Sequence, residues 1–246
     1  MDIFKSLIRA LGGKTNELEK PVFAKPYADK TDDLLELVSR LETAPEEAKP
    51  MFRDAVTSLR EKIRAHRNIF EVLDKSDLPI VVLYDVHLLT PIGSAIIDYV
   101  VISNRFVLAL SCPPLADEPT PEEMRATASP GGRRRLSLSE HAAHILTGLL
   151  REEKMLGKKE LSMIWPATVL PDEMEQKVFP EQEGAFSDGG GYVYGEVRTE
   201  ASLKVQELDA FLRRLFKMDD KLNWISNDKV FAIASLLQKY DTTTEC

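Results

Sequence analysis

At 246 residues, 43% hydrophobic and 29% charged, the chain is long enough for one domain with a helical extension or for two small domains, and too apolar for wholesale disorder. A formal charge of -8 speaks against strong non-specific attachment to nucleic acid by the molecule as a whole, since that attachment is mostly phosphate neutralisation by Lys and Arg; a local basic patch stays open. Two cysteines, Cys112 and Cys246, are too few for a disulfide framework or a zinc cage and fit a reducing cytoplasm, and no run approaches the roughly 20 apolar residues of a bilayer span.

In chain order, Ile3, Phe4, Leu7, Ile8 and Leu11 make a short amphipathic stripe in an N-terminal tail, residues 1–30, which lacks the layout of a signal peptide. A stripe of this length docks on a protein core or touches a membrane surface. A linker with Gly12, Gly13, Pro21 and Pro26 leads to a helix over 32–41, carried by Leu34, Leu35, Leu37, Val38 and Leu41. Thr43 and Glu46 have the spacing of a capping box, with Pro45 and Pro50 punctuating the next start. The clearest helix follows, with Phe52, Val56, Leu59, Ile63, His66, Phe70 and Leu73 spaced by three and four, so His66 falls on its buried stripe.

Three β-rich runs come next, over 80–89, 95–103 and 106–112, apolar enough to be covered on both faces. The short connection at Asn104 and Arg105 predicts an antiparallel hairpin. Residues 113–135 read as a surface loop ending in Gly131, Gly132, Arg133, Arg134 and Arg135. A helix from Ser137 or Ser139 follows, then a strand over 161–170 in which Pro166 predicts an edge or a bulge. After the glycine-rich stretch at Gly189 to Gly191, a helix over about 200–216 and a last one over 227–240, capped by Ser226, close the chain. The order of elements predicts an α/β fold with a mixed sheet flanked by helices.

The run VVLYDVHLLTPIGSAIIDYVVISNRFVLALSC, with the helix SLSEHAAHILTGLL and the strand SMIWPATVLP, resembles the core of the nuclease-related domain (NERD) family, a branch of the restriction-endonuclease-like PD-(D/E)XK fold. The resemblance covers about residues 65–170. It implies an N-terminal helical segment at 31–75, a NERD-like domain at 76–217 whose first helix starts near 51, and a C-terminal helix within 218–246. Asp98 matches the family's metal-holding aspartate, and Glu140 and His144 fall on the Gln and His positions of the family's helix. The family's mechanism implies that aspartate and a glutamate hold a divalent metal while a lysine two residues further along the same strand face activates water. Here those two positions read Leu110 and Cys112, no Asp, Glu or Lys occurs from Tyr99 through Ala116, and the upstream helical glutamate falls on His66.

The departures imply a catalytically inactive nuclease-related protein, with no cofactor, that acts by binding a protein partner or nucleic acid. The alternative is a nuclease using Mg or Mn at a relocated site. Asp98 reads as a remnant catalytic acid or metal ligand, or as a buried carboxylate held for structure. Asp85 and His87 share a strand face and with Asp98 and His66 make a candidate metal cluster. Glu140 and His144, one helical turn apart, are candidate relocated acid and base groups, or a polar pair at a helix edge. Arg133, Arg134 and Arg135 are candidate phosphate contacts or a solvated turn. Cys112, set among Leu108, Leu110 and Pro113, reads as an inert packed thiol, and Trp165 and Trp224 as core or interface residues.

Overall fold

The computed structural model describes residues 18–112, 136–170, 200–218 and 224–244. The stripe beginning at Ile3, the loop with Arg133, Arg134 and Arg135, and the Gly189 to Gly191 stretch lie outside them. Among the described residues a six-stranded sheet runs in the order β1-β2-β3-β4-β5-β6: β1 (Val22–Lys25), β2 (Val81–Thr90), β3 (Gly93–Ile102), β4 (Val107–Ser111), β5 (Ile164–Leu170) and β6 (Ala201–Lys204). The β2–β3 and β3–β4 pairs are antiparallel and the β1–β2, β4–β5 and β5–β6 pairs parallel, which is the mixed α/β sheet expected.

Among the described residues five α-helices accompany it: α1 (Thr31–Thr43), α2 (Lys49–Asp74), α3 (Leu138–Glu152), α4 (Leu208–Lys217) and α5 (Asn227–Tyr240). One apolar cluster joins α3 and α5 to one face of the sheet, and a second joins α2 and α4 to the other, so both faces are covered as the apolar strands require. Helix α1 buries no residue of its own and packs on α2. None of the described helices is long and apolar enough to cross a membrane.

Two strands are absent from the sequence pattern. Strand β1 lies where a linker was expected, and β6 occupies the start of the expected 200–216 helix, which begins only at Leu208. Each has four residues, too few for a period to show, and each exists because a longer parallel neighbour supplies its hydrogen bonds. Pro166 pairs with Ala109 inside the sheet, but the β6 ladder begins one residue later at Ala167, so its missing N–H falls where the β6 side is still open.

The Thr43–Glu46 capping box does not form. Thr43 ends α1 with its hydroxyl donating to the Ser39 and Arg40 carbonyls, Glu46 pairs with Lys49, and α2 starts at Ala48 without a side-chain cap. Ala44, before Pro45, has the extended backbone that ends one helix, while Pro50 sits in the first turn of the next. The α3 start is a capping box, with Ser137 accepting from the Glu140 N–H and Glu140 accepting from the Ser137 N–H, and Ser226 caps α5 as read.

The central hairpin carries an irregularity that shapes the site. Val81, Leu83, Val86 and Leu88 of β2 belong to the α3 face, while Val82 and Tyr84 belong to the α2 face, so the alternation slips by one residue at Asp85. Asp85 has φ 51°, a left-handed conformation that Asp tolerates better than most residues. Strand β3 slips in step: Ala95 and Ile97 face α3, Tyr99 and Val101 face α2, and Asp98 sits at the change. Because both strands slip together, the pairing stays in register on either side.

The β2–β3 turn is seated on α3. Gly93 has φ 145°, and a Cβ there would come within 2.9 Å of Ile145 Cδ1; over Gly148, the Ile92 side chain fills the space a Cβ would need. Gly93→Ala is therefore expected to lower stability by about 1–3 kcal/mol through backbone strain and crowding. Urea unfolding checks this, and an unchanged midpoint would refute the strained seat.

Candidate functional site

Helix α2 places Lys62 and His66, one turn apart, over the slip in the central hairpin. The buried stripe of α2 consists of Val56, Ile63, Ala65, His66, Ile69 and Leu73, and His66 is 1% exposed. Its Nδ1 lies 3.0 Å from the Tyr84 hydroxyl, and its Nε2 lies 3.2 Å from Asp98 Oδ1, angled off the hydrogen-bond line. With the Tyr84 hydroxyl donating to Nδ1, the ring proton sits on Nε2 and faces the carboxylate. The Tyr99 hydroxyl donates to the His66 carbonyl at 2.7 Å, and the two tyrosine rings flank the imidazole edge-on. Tyr27, Phe70 and Phe23 extend this aromatic packing toward β1.

Asp98 is 7% exposed and has partners on α2 and at the end of β4. Oδ2 accepts the Cys112 backbone N–H at 2.7 Å just past the end of β4, while Oδ1 faces His66 and, at 3.5 Å, Lys62 Nζ. Burial works to raise the Asp98 pKa, but the His66 ring, the Lys62 ammonium and the Cys112 amide outweigh it, and the carboxyl ends below its ordinary value. The neighbouring Cys112 thiol is pushed up to about 12, first by burial and then by the Asp98 charge. It is an inert thiol at neutral pH. Burial likewise raises the Tyr84 and Tyr99 hydroxyls, which stay protonated as donors. Leu110 is fully buried on the same side of the sheet.

The other candidate residues lie in different settings. Asp85 holds His87 Nε2 at 3.1 Å on one oxygen and Lys30 Nζ at 2.8 Å on the other, and Lys25 donates to its carbonyl. Burial opposes ionisation of Asp85, and Lys30 and His87 overcome it, leaving the pKa lowered. Among the described residues no group of three or more His, Cys, Asp or Glu side chains is placed to hold a metal ion, so Asp98, Asp85 and His87 are not brought together as one ligand set. Glu140 is buried in the α3 capping box, and His144 lies exposed on the same helix. Trp224 is 52% exposed, with the Arg105 guanidinium stacked on its ring, rather than a core residue.

Three features have no clear sequence signal. Lys62 reads as one more charge on a helix, and only the α2–β3 approach turns it toward Asp98. Lys25 pairs with Asp241 Oδ2 at 2.6 Å, while Asp241 Oδ1 accepts the His87 N–H, tying the segment after α5 to β1 and β2. At the ends of the parallel strands, Ser139 and Thr168 both donate to Glu200, and the neighbouring Ser111 hydroxyl is buried with no hydrogen-bond partner among the described residues. The i, i+4 spacing of Lys62 and His66 is the one local cue to any of them.

No protein-family model, curated protein or solved structure matches the chain.

The lowered Asp98 pKa sets a pH dependence. A depressed carboxyl pKa contributes stability above its unfolded value of 3.8 and loses it as pH falls through the folded value. Asp98→Asn should cost about 1–3 kcal/mol at pH 7, with the gap to the parent protein closing below about pH 4. Denaturant unfolding across pH 3 to 7 checks it, and a gap independent of pH would show that the charge is not what His66 and Lys62 hold.

Proposed function

We propose that this chain is a non-catalytic member of the nuclease-related fold that works by binding, its former metal position now given over to structure. The observation that carries the reading is the occupation of Asp98. Both carboxylate oxygens face protein donors or cations, one of them a buried imidazole, and the positions two apart on the neighbouring strand hold an aliphatic side chain and a neutral thiol. A hard divalent cation asks for about six oxygen ligands, and a single carboxylate already beside an ammonium group is too poor in charge and lone pairs to hold one. The helix α3 after the hairpin and the strand β5 after it also support the nuclease-related reading, because they follow in the order the resemblance implies.

A second reading has one specific observation in its favour. Lys62 brings an ammonium group to Asp98 from a helix rather than from the strand, so carboxylate and lysine, two of the three groups a metal-dependent phosphodiesterase uses, are adjacent. The third group is a second carboxylate, which no described residue brings into a shared metal set with Asp98. Under this reading Mg or Mn and the substrate's own oxygens would fill the remaining positions.

The two are separated by incubating the purified chain with single-stranded and duplex DNA and RNA in Mg and in Mn. Non-catalytic binding predicts no cleavage above background and no saturable Mn uptake by calorimetry. Metal-dependent cleavage that disappears in both Asp98→Ala and Lys62→Ala would overturn it and establish the relocated site.

A further inference from the structure

The outward face of α2 carries a line of arginines. At 3.6 residues per turn, Arg53, Arg60, Arg64 and Arg67 fall within about 40° of one line down the helix, directly away from the stripe that holds His66 and Leu73 against the sheet. All four are exposed. The line spans about 21 Å from Arg53 to Arg67 at 1.5 Å per residue. Thr57 lies between them and no acidic residue falls on the line from Lys49 to Arg67; Asp54 and Glu61 stand about 80–100° round the helix. Arg67 pairs with Asp29, and beyond it Glu71 pairs with Lys75. In a chain of net charge -8, this concentration of one sign on one face is local and directional.

We propose that this face docks the phosphate backbone of a nucleic acid without reading its base sequence. The proposal rests on the reading of the chain as a binding protein and names the partner. The composition of the face selects among polyanions. A protein partner needs an apolar or aromatic centre to its interface, and no apolar side chain stands on this line. A membrane surface needs an apolar helix face to insert, and that face of α2 is committed to the core. What remains is a row of exposed arginines, the residue type that holds phosphate oxygens through parallel N–H bonds, with Arg67 at its end sharing its guanidinium with Asp29. The surface lies outside Asp98 and its partners, so binding there requires no chemistry at the carboxylate.

Fluorescence anisotropy with labelled 20-nucleotide single strands and duplexes tests the proposal on the full chain at 50 and 200 mM salt. The expected result is binding that weakens linearly in log salt and is indifferent to base order. The triple substitution Arg53→Ala, Arg60→Ala, Arg64→Ala should weaken it about tenfold or more at 50 mM salt and reduce the salt slope by about 2–3. These residues are exposed, so circular dichroism should show the triple variant folded. The control Lys158→Ala, Lys159→Ala, also exposed, should bind as the parent does. Absent binding, equal loss in both variants, loss confined to Arg133→Ala, Arg134→Ala, Arg135→Ala, or tighter capture of a polyglutamate peptide than of either oligonucleotide would each overturn the proposal. None of these outcomes bears on whether Asp98 supports cleavage, which the metal-dependent assay decides separately.

Discussion

A carboxylate taken out of water between a helix and a sheet must be compensated on the spot, and Asp98 imposes that demand on everything around it. The penalty for burying an ion without partners is several kcal/mol even after relaxation. Asp98 meets it with a backbone N–H from the end of β4 and with an imidazole and an ammonium from successive turns of α2. Three elements are thereby held to one point. The rotation of α2 about its axis is fixed as well, since only one setting brings residues 62 and 66 down together, and Tyr99 secures it by donating to the His66 carbonyl. The outward direction of the arginines is the other side of the same constraint.

The double slip at Asp85 and Asp98 makes this arrangement available. Strict alternation from Ile97 would turn Tyr99 toward α3, away from His66. By slipping one residue in both strands, the hairpin keeps its pairing and brings Tyr84 and Tyr99 onto the α2 face together, where one hydroxyl reaches the imidazole and the other the helix carbonyl. The cost is a left-handed Asp85. It is offset locally, because the turned carbonyl receives Lys25 and the side chain receives Lys30 and His87.

Much of the frame was legible because it rests on local rules. The three-and-four spacing of α2 placed His66 on the buried stripe, the apolarity of β2 to β4 announced cover on both faces, and the serines at 137 and 139 marked the start of α3. What the sequence withheld depends on partners distant in the chain. Strands β1 and β6 are strands only because β2 and β5 lie beside them. Lys62 looks like any solvated helix charge until β3 is brought beneath it. The pairing of Asp85 with Asp98 as the two slip residues is a matter of register, which a one-dimensional pattern of apolar residues does not record. Thr43 and Glu46 show the reverse failure, a correct local spacing overridden by the neighbouring helix end.

Three buried or half-buried aspartates, two in the sheet and one beside it, each meet a lysine: Asp85 with Lys30, Asp98 with Lys62, and Asp241 with Lys25. Such pairs are weak sources of net stability, because desolvation consumes most of the attraction. They are strong sources of specificity, since any shift of β1, α1, α2 or the segment after α5 takes a cation away from a buried or half-buried carboxylate. Lysine is suited to these positions because a compact charge on a flexible stem can lie along the apolar surface and reach inward with its head. Arginine, with a rigid fork that gains most from planar oxygen partners, is the residue α2 turns outward. The division of the two cations between inside and outside therefore follows from their shapes. The sheet's acids are neutralised from within, and the arginines of α2 stay at the surface, where Arg67 meets Asp29.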